Sequence, residues 1–225
     1  PAITWRELLP SLADEPAVAA AAGAAIVALA GEDRPRLVDE MLAQSDPVRR
    51  AALEELLLLK DPRASGRAAI AIHHEDVETA RAAIEAQEWT PARAAEVTLA
   101  HALGDSRLEV RQTAAEVIAR RPAPEGDDGP LSRALATALH AEREAEVLEA
   151  LFPAVAVAGG KECLEPLTIV LAAESGITAD GAAEALARRF PAEVRALWAD
   201  APARAERRWA RAIARSSARR GRDTA

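Results

Sequence analysis

The amino-acid sequence predicts an all-α fold, a right-handed α-α superhelix of about six to seven helix pairs. Alanine, the strongest helix former, provides 58 of the 225 residues, whereas the chain has no Tyr, two Phe and four Trp. Apolar residues recur with the helical period along almost the whole chain, and the alternation typical of strands is absent. Similar helical segments recur at intervals of 29 to 37 residues, which is typical of helical repeats.

Capping residues and prolines mark where many of the helices begin. An acidic or hydroxyl residue can satisfy the first backbone amides of a helix, and Pro fits the first turn. Such starts occur at Glu15-Pro16, Asp46-Pro47, Asp61-Pro62 and Thr90-Pro91, and glycines indicate helix ends at Gly104, Gly159-Gly160 and Gly176. Residues 121–130, rich in Gly, Pro and acidic side chains, are expected to form a loop.

The second helix of each predicted pair carries the repeat signal. Five of these helices share a valine near their start, and Gly181 takes this place in the sixth; the valines are Val18, Val48, Val77, Val110 and Val147. A single helix pair cannot bury its apolar face, so stacked neighbours must share a core. We therefore expect one repeat domain over 1–225, with repeats at 1–31, 32–60, 61–89, 90–121, 130–159 and 160–190 and a basic capping pair at 191–221.

The segments Asp46–Ala52 (DPVRRAA) and Glu109–Ala115 (EVRQTAA) resemble the HEAT-repeat family. The other four copies lack the Arg and are assigned by their phase. The resemblance implies a HEAT-like solenoid whose second helices line a concave face. In that family the Asp and Arg of the motif commonly link neighbouring helices, so Asp46, Arg49 and Arg111 are expected to be structural. Abundant Ala and Arg also suggest a bacterial source with a GC-rich genome.

The last helical segment carries the strongest charge pattern. Residues 203–225 hold a net charge of +6, whereas the whole chain has −8, which leaves −14 for the rest. Six arginines step by three or four residues and share one helical stripe, with Trp209 on another face; they are Arg204, Arg208, Arg211, Arg215, Arg219 and Arg222. We predict a binding site here, whose anion is nucleic-acid phosphate, an acidic partner protein or the acidic body of this chain.

The titratable residues do not form a recognisable catalytic or metal-binding motif. Some di-iron HEAT proteins carry several facing His-Glu pairs, but this chain has the single pair His74-Glu75. The histidines are expected at helix ends, where their charge suits the helix dipole. Cys163 has no nearby His and is expected to be inert, and Gly159-Gly160-Lys161 lacks the pattern of a phosphate-binding loop. We expect no catalytic residue, metal or cofactor.

The four tryptophans are the largest candidate anchors in this aromatic-poor chain. We expect them to be packed, whereas any exposed Trp would be a candidate hot spot for a partner. The apolar run Ala17–Ala30 is too short to span a membrane and lacks a basic leader, so we expect a buried small-residue helix and a cytoplasmic protein.

These observations predict a non-enzymatic scaffold that binds a partner protein through the concave face, the Arg-rich last helix, or both. The alternative is a nucleic-acid binder that uses the Arg stripe, as HEAT-like DNA glycosylases use a basic groove. The acidic body of the chain speaks against that alternative, because it repels phosphate. A third class, resembling bilin lyase subunits, has no residue that singles it out. The partner and the oligomeric state are not predicted.

Overall fold

The computed structural model of the protein describes residues 4–124, 129–173 and 176–194. Over these three ranges the chain forms twelve α-helices and several short 3-10 helices, with no β-strand. The predicted all-α fold is confirmed. Helices that follow one another in the sequence also pack against one another, as in a helical repeat. No helix within these ranges is both long enough and apolar enough to cross a membrane.

The chain divides into two compact units, Pro1–Val117 and Ile118–Ala225, and the boundary falls inside the eighth helix. The first unit contains four helix pairs, the last of which ends beyond the boundary. Its helices are α1 (Trp5–Leu8), α2 (Pro16–Ala30), α3 (Arg34–Leu42), α4 (Asp46–Leu59), α5 (Pro62–Ala68), α6 (Val77–Glu85), α7 (Ala92–Ala102) and α8 (Leu108–Arg120). The second unit contains two pairs, formed by α9 (Pro130–Ala141), α10 (Ala145–Ala158), α11 (Leu164–Ala173) and α12 (Ile177–Arg189).

Capping and proline set the predicted helix starts. Pro16, Pro47 and Pro62 each lie in the first turn of a helix, as the sequence predicts. The Asp61 carboxylate accepts a hydrogen bond of 2.9 Å from the Arg63 amide, and Asp76 accepts one of 2.9 Å from the Thr79 amide. These carboxylates satisfy amides that have no partner within the helix, which stabilises each start by about 1 kcal/mol.

Helix α2 differs from the buried helix that the sequence predicts. Its inner face contacts α1, α3 and α4 and buries Ala22, Ile26 and Ala30, but the opposite face is exposed along its length. That exposed face contains only apolar side chains, among them Val18 and Leu29. Because α2 has no polar residue on any face, its sequence gives no sign of which side meets its neighbours.

A cluster of apolar side chains holds the first two helix pairs together. Trp5 and Leu9 pack with Ile26 of α2, Leu37 of α3 and Ala52 of α4, all of them buried. Bulky side chains such as Trp5 and Leu37 thus fill the space next to small side chains such as Ala52. This distribution explains how an alanine-rich chain reaches interior density with few aromatic residues.

Two second helices, α2 and α4, approach closely at Gly23. The Glu55 carboxylate of α4 lies over this glycine, so that a Cβ atom there would be 2.6 Å from its Oε2 atom. Burial, followed by repulsion from Glu54, raises the pKa of Glu55 above its ordinary value. The contact therefore places a partly desolvated carboxylate between two repeats.

In the second unit, α10 and α12 lie side by side and run in the same direction. The ring of Phe152 contacts Gly181, and Arg189 Nε donates a 2.6 Å hydrogen bond to the Gly159 carbonyl. The later contact in α10 is thus also the later contact in α12, as expected for two helices that run in the same direction. A Cβ atom on Gly181 would overlap the Phe152 ring. This overlap explains why glycine replaces the valine found near the start of the other second helices.

Gly181→Ala should destabilise the protein by about 1–3 kcal/mol in urea unfolding, because the added methyl displaces the buried Phe152 ring. The matched control is Gly66→Ala in α5, where a Cβ atom would meet Thr90 Cγ2 at an ordinary 3.7 Å. Alanine has the higher helix propensity, so the control should gain about 0.5–1 kcal/mol. Equal unfolding free energies for the two variants would refute the close α10–α12 contact.

Candidate functional site

The predicted Arg stripe lies outside the described residues. Arg204, Arg208, Arg211, Arg215, Arg219, Arg222 and Trp209 all fall in 195–225, so this binding site stays a prediction. Trp198 lies in the same range. Of the two described tryptophans, Trp5 is buried in the core and Trp89 is half-buried, with Lys60 Nζ 4.6 Å from its ring centre. Neither of these two is an exposed anchor.

His74 joins the loop before α4 to the loop before α6. Its Nδ1 atom accepts a 3.0 Å hydrogen bond from the Asp76 amide, so the ring proton of the neutral form is on Nε2. That Nε2 atom lies 3.1 Å from Asp46 Oδ1 and also contacts the Arg49 guanidinium. Nε2 therefore contacts the preceding repeat, whereas Nδ1 fixes the ring within its own loop, which gives His74 a structural role.

Arg107 makes the same kind of connection one repeat further on. Its guanidinium donates to the carbonyl oxygens of His74 at 2.5 Å and Ile72 at 3.0 Å. Asp105 holds it from the other side, at 2.9 Å from Nε and 2.8 Å from the second guanidinium nitrogen. These hydrogen bonds from Arg107 lower the pKa of Asp105 below its ordinary value. Arg107 thus donates hydrogen bonds to carbonyl groups that have no donor within the preceding helix end.

The two motif arginines act in the loops before their own helices. Arg49 donates to the Leu42 carbonyl at 2.8 Å and the Gln44 carbonyl at 2.6 Å, and it pairs with Asp46 at 3.0 Å. Arg111 donates to the carbonyls of Asp105 and Ser106. The structural role predicted for Asp46, Arg49 and Arg111 is confirmed, whereas the sequence analysis missed Arg107. In the sequence, the bridging role of Arg107 is indicated by the spacing Asp-x-Arg from Asp105 to Arg107, in the turn before α8.

The remaining histidines lie where helix ends were predicted. His101 and His140 are exposed in the last turns of α7 and α9, and His73 ends the 3-10 helix Ala69–His73. Over the described ranges, His, Cys, Asp and Glu residues form no group of three with the spacing of a metal site. The geometry thus gives these side chains no common ligand.

Cys163 is fully buried at the start of the α11 region. Burial is the largest of the effects that raise the pKa of its thiol to about 12, so the thiol is neutral at physiological pH. The loop before it is fixed by protein groups, since Ser132 Oγ accepts a 2.8 Å hydrogen bond from the Gly160 amide. Ser132 Oγ itself donates to Glu162 at 3.0 Å. This arrangement has the character of a packed loop end, without a reactive thiolate.

A groove between α10 and α12 is the candidate functional site of the described chain. Its volume is about 430 Å³, and polar and apolar atoms contribute about equally to its lining; the lining residues are Glu149, Phe152, Pro153, Ala156, Ile177, Gly181, Glu184, Ala185 and Arg188. Ile177 is 73% exposed at the start of α12. Its position in the groove lining distinguishes this isoleucine from the other exposed apolar side chains, because a concave site with apolar and polar groups together is the usual form of a binding site.

Backbone chemistry adds a polar group to one wall of this groove. Pro153 lies inside α10 and has no amide hydrogen, so the carbonyl of Glu149 lacks its usual helical donor four residues later. On the opposite wall, Arg188 and Glu184 form an ion pair at 3.2 Å. The groove therefore combines apolar side chains with the ion pair Arg188–Glu184 on one wall and the carboxylate of Glu149 on the other.

The sequence analysis did not single out these groove residues as a site. Two signals were present, namely Pro153 within an apolar helix and Gly181 in the position of a valine. Each signal concerns one helix only, whereas the groove depends on the contact between two helices.

Comparisons with known proteins add support for the fold. No family model matches the chain, and no curated protein matches it. Among solved structures, the chain is similar to an engineered protein studied by the Northeast Structural Genomics Consortium, with 18% identity and a TM-score of 0.55, over 84% of this chain and 100% of that one. A second engineered protein from the same consortium has 18% identity and a TM-score of 0.46, over 95% of this chain and 89% of that one.

Asp105→Asn should lower the free energy of unfolding at pH 7 by about 1–3 kcal/mol, because Arg107 loses its charged partner. The folded-state pKa of Asp105 is lowered, so its contribution is present above the ordinary value of 3.8 and is lost as pH falls through the folded-state value. Urea unfolding at pH 7 and near pH 3 should therefore show the variant and the native protein converging in acid.

The matched control for Asp105 is Asp39→Asn, which removes a pair with Arg67 whose side chains are both about half exposed. Such pairs contribute about 0–1 kcal/mol, so this variant should unfold almost as the native protein does. An Asp105 variant no less stable than the Asp39 variant would contradict the structural role of the Asp105–Arg107 contact.

In the native protein the Cys163 thiol should react with a disulfide reagent at least about 100-fold more slowly than in denaturant, since it is buried and neutral. The control is Cys163→Ala combined with Ile169→Cys, which moves the single thiol to a position that is 47% exposed on α11. The relocated thiol should react at nearly the denatured rate. Fast reaction of native Cys163 would contradict its burial.

Proposed function

We propose that this chain is a non-enzymatic, HEAT-like repeat scaffold that binds a partner protein through the face formed by its second helices. The observation that carries the proposal is the groove between α10 and α12, two second helices, which combines polar and apolar lining groups with the exposed Ile177. Binding sites are commonly concave and combine apolar side chains with a few polar groups, as this groove does. A cytoplasmic, bacterial setting belongs to the same proposal.

The polar residues of the described chain support binding over catalysis. His74, Asp46 and Arg49 contact one another and neighbouring backbone groups, and Cys163 is buried with a raised pKa. Asp105 and Arg107 form a closed pair that also holds two carbonyl groups. These side chains are engaged in contacts that hold the fold together, whereas Ile177, Glu149 and Arg188 line the groove.

Nucleic-acid binding through the Arg stripe of residues 204–222 is the second candidate, and the sequence spacing of its arginines is the observation that favours it. Fluorescence anisotropy with single- and double-stranded nucleic acid distinguishes the two functions. We expect no binding at about 50 or 200 mM salt. Salt-sensitive binding that is lost in a chain ending at Pro202 would assign the function to the stripe.

The proposed function predicts a partner that is lost when the groove is altered. Tagged native protein should retain specific proteins from a nuclease-treated lysate of its source cell, and Ile177→Lys should retain at least about tenfold less of them. Because Ile177 is 73% exposed, the lysine replaces no core contact, and the variant should keep its fold by circular dichroism.

The matched control is Ile169→Lys, which places the same charge on α11, the first helix of its pair, at a position 47% exposed. This variant should retain the partner as the native protein does. Retention that is equal for native protein and both variants would reject the second-helix face as the binding surface.

A further inference from the structure

We infer that the α10–α12 groove binds a cationic amphipathic helix of a partner protein, whose aliphatic side chains enter the groove while a Lys or Arg contacts Glu149. This inference rests on the proposed function, because it assigns the chemistry of the partner to the same groove. It follows from the shape of the groove, the charges around it and the backbone carbonyl at Glu149.

The shape of the groove suits a row of aliphatic side chains. Its volume of about 430 Å³ lies within the range of about 300–1,000 Å³ that is common for ligand pockets. Its walls are two helices that run in the same direction, and its lining includes Glu149 to Ala156 of α10 and Ile177 to Arg188 of α12. A partner helix that presents apolar residues three and four positions apart is the usual occupant of a groove between helices.

The charges on α10 select a cationic partner. Glu146 and Glu149 are both exposed, and neither has an ion-pair or hydrogen-bond partner for its carboxylate within the described parts of the chain. Helix α10 itself contains no Lys or Arg. On the other wall, Arg188 already pairs with Glu184. A basic side chain beside the apolar anchors of the partner would therefore gain complementary charge at Glu149.

The carbonyl of Glu149 strengthens this preference. Since Pro153 cannot donate to it, this oxygen is an acceptor at the same residue that carries the exposed carboxylate. A Lys ammonium carries three donors and an Arg guanidinium carries five, so either can bind more than one acceptor at once. Nucleic acid and acidic peptides are disfavoured at this end of the groove, because they would bring acceptors and negative charge to Glu149.

A labelled peptide tests the inference directly. The probe is a fluorescein-labelled helical peptide of about 18 residues, with leucines three and four positions apart and lysines flanking them. Two matched peptides accompany it, one with Glu in place of each Lys and one with the same composition in scrambled order. At about 150 mM salt, the native protein should bind the probe at least about tenfold more tightly than either matched peptide.

Variants of the intact chain then locate the binding site. Ile177→Lys should weaken probe binding at least about tenfold, and Glu149→Gln should weaken it about three- to tenfold. Pro153→Ala supplies the missing amide hydrogen, so it should weaken binding about threefold while the protein becomes no less stable in urea unfolding. The matched controls on α11, Ile169→Lys and Glu165→Gln, replace exposed side chains and should bind the probe as the native protein does.

The outcomes separate this inference from the proposed function. Absence of probe binding, equal binding of the Glu or scrambled peptide, or equal weakening by the α11 controls would overturn the inference. A native dimer that Ile177→Lys converts to a monomer in sedimentation would also overturn it, since the occupant would be a second copy. If Ile177→Lys still abolishes partner retention from lysate, the proposed function stands without the inference; if the native protein retains no partner either, both fail.

Discussion

Side-by-side contact between second helices is the constraint on which the rest of this structure depends. Where α10 meets α12, the ring of Phe152 occupies the space that a side chain at position 181 would need. Where α2 meets α4, Glu55 occupies the corresponding space over Gly23. Close approach requires small residues on one helix of each contact, and the abundance of alanine extends this condition over the whole chain.

The helix ends impose a second requirement, because their carbonyl groups need donors that the helices do not provide. Arg49 supplies such donors from the start of α4 and Arg107 from the turn before α8, and His74 contacts both arginines. These three polar side chains of the first unit thus connect consecutive repeats. Arg49, Arg107 and His74 therefore hold the fold together, and the proposed binding surface is formed by other residues.

The groove in the second unit arises from the same features that allow the helices to pack. Gly181 brings α12 close to α10 at Phe152, and Pro153 leaves the Glu149 carbonyl without its helical donor. Ile177 then lies exposed beside the walls. A packing contact and a binding surface thus share residues, so variants at the rim such as Ile177 are more informative about binding than variants at the floor.

Composition and spacing alone were sufficient to determine the fold class and the helix starts at Pro16, Pro47 and Pro62, because these properties depend on local propensity and a repeated period. The structural role of Arg49 and Arg111 was expected from the resemblance of their segments to HEAT repeats, and their hydrogen bonds agree with it. The exposed face of α2, the bridging role of Arg107 and the groove at Phe152 and Gly181 were decided only by the tertiary structure. Each of these depends on which surfaces of separate helices or loops meet, and no single segment contains that information.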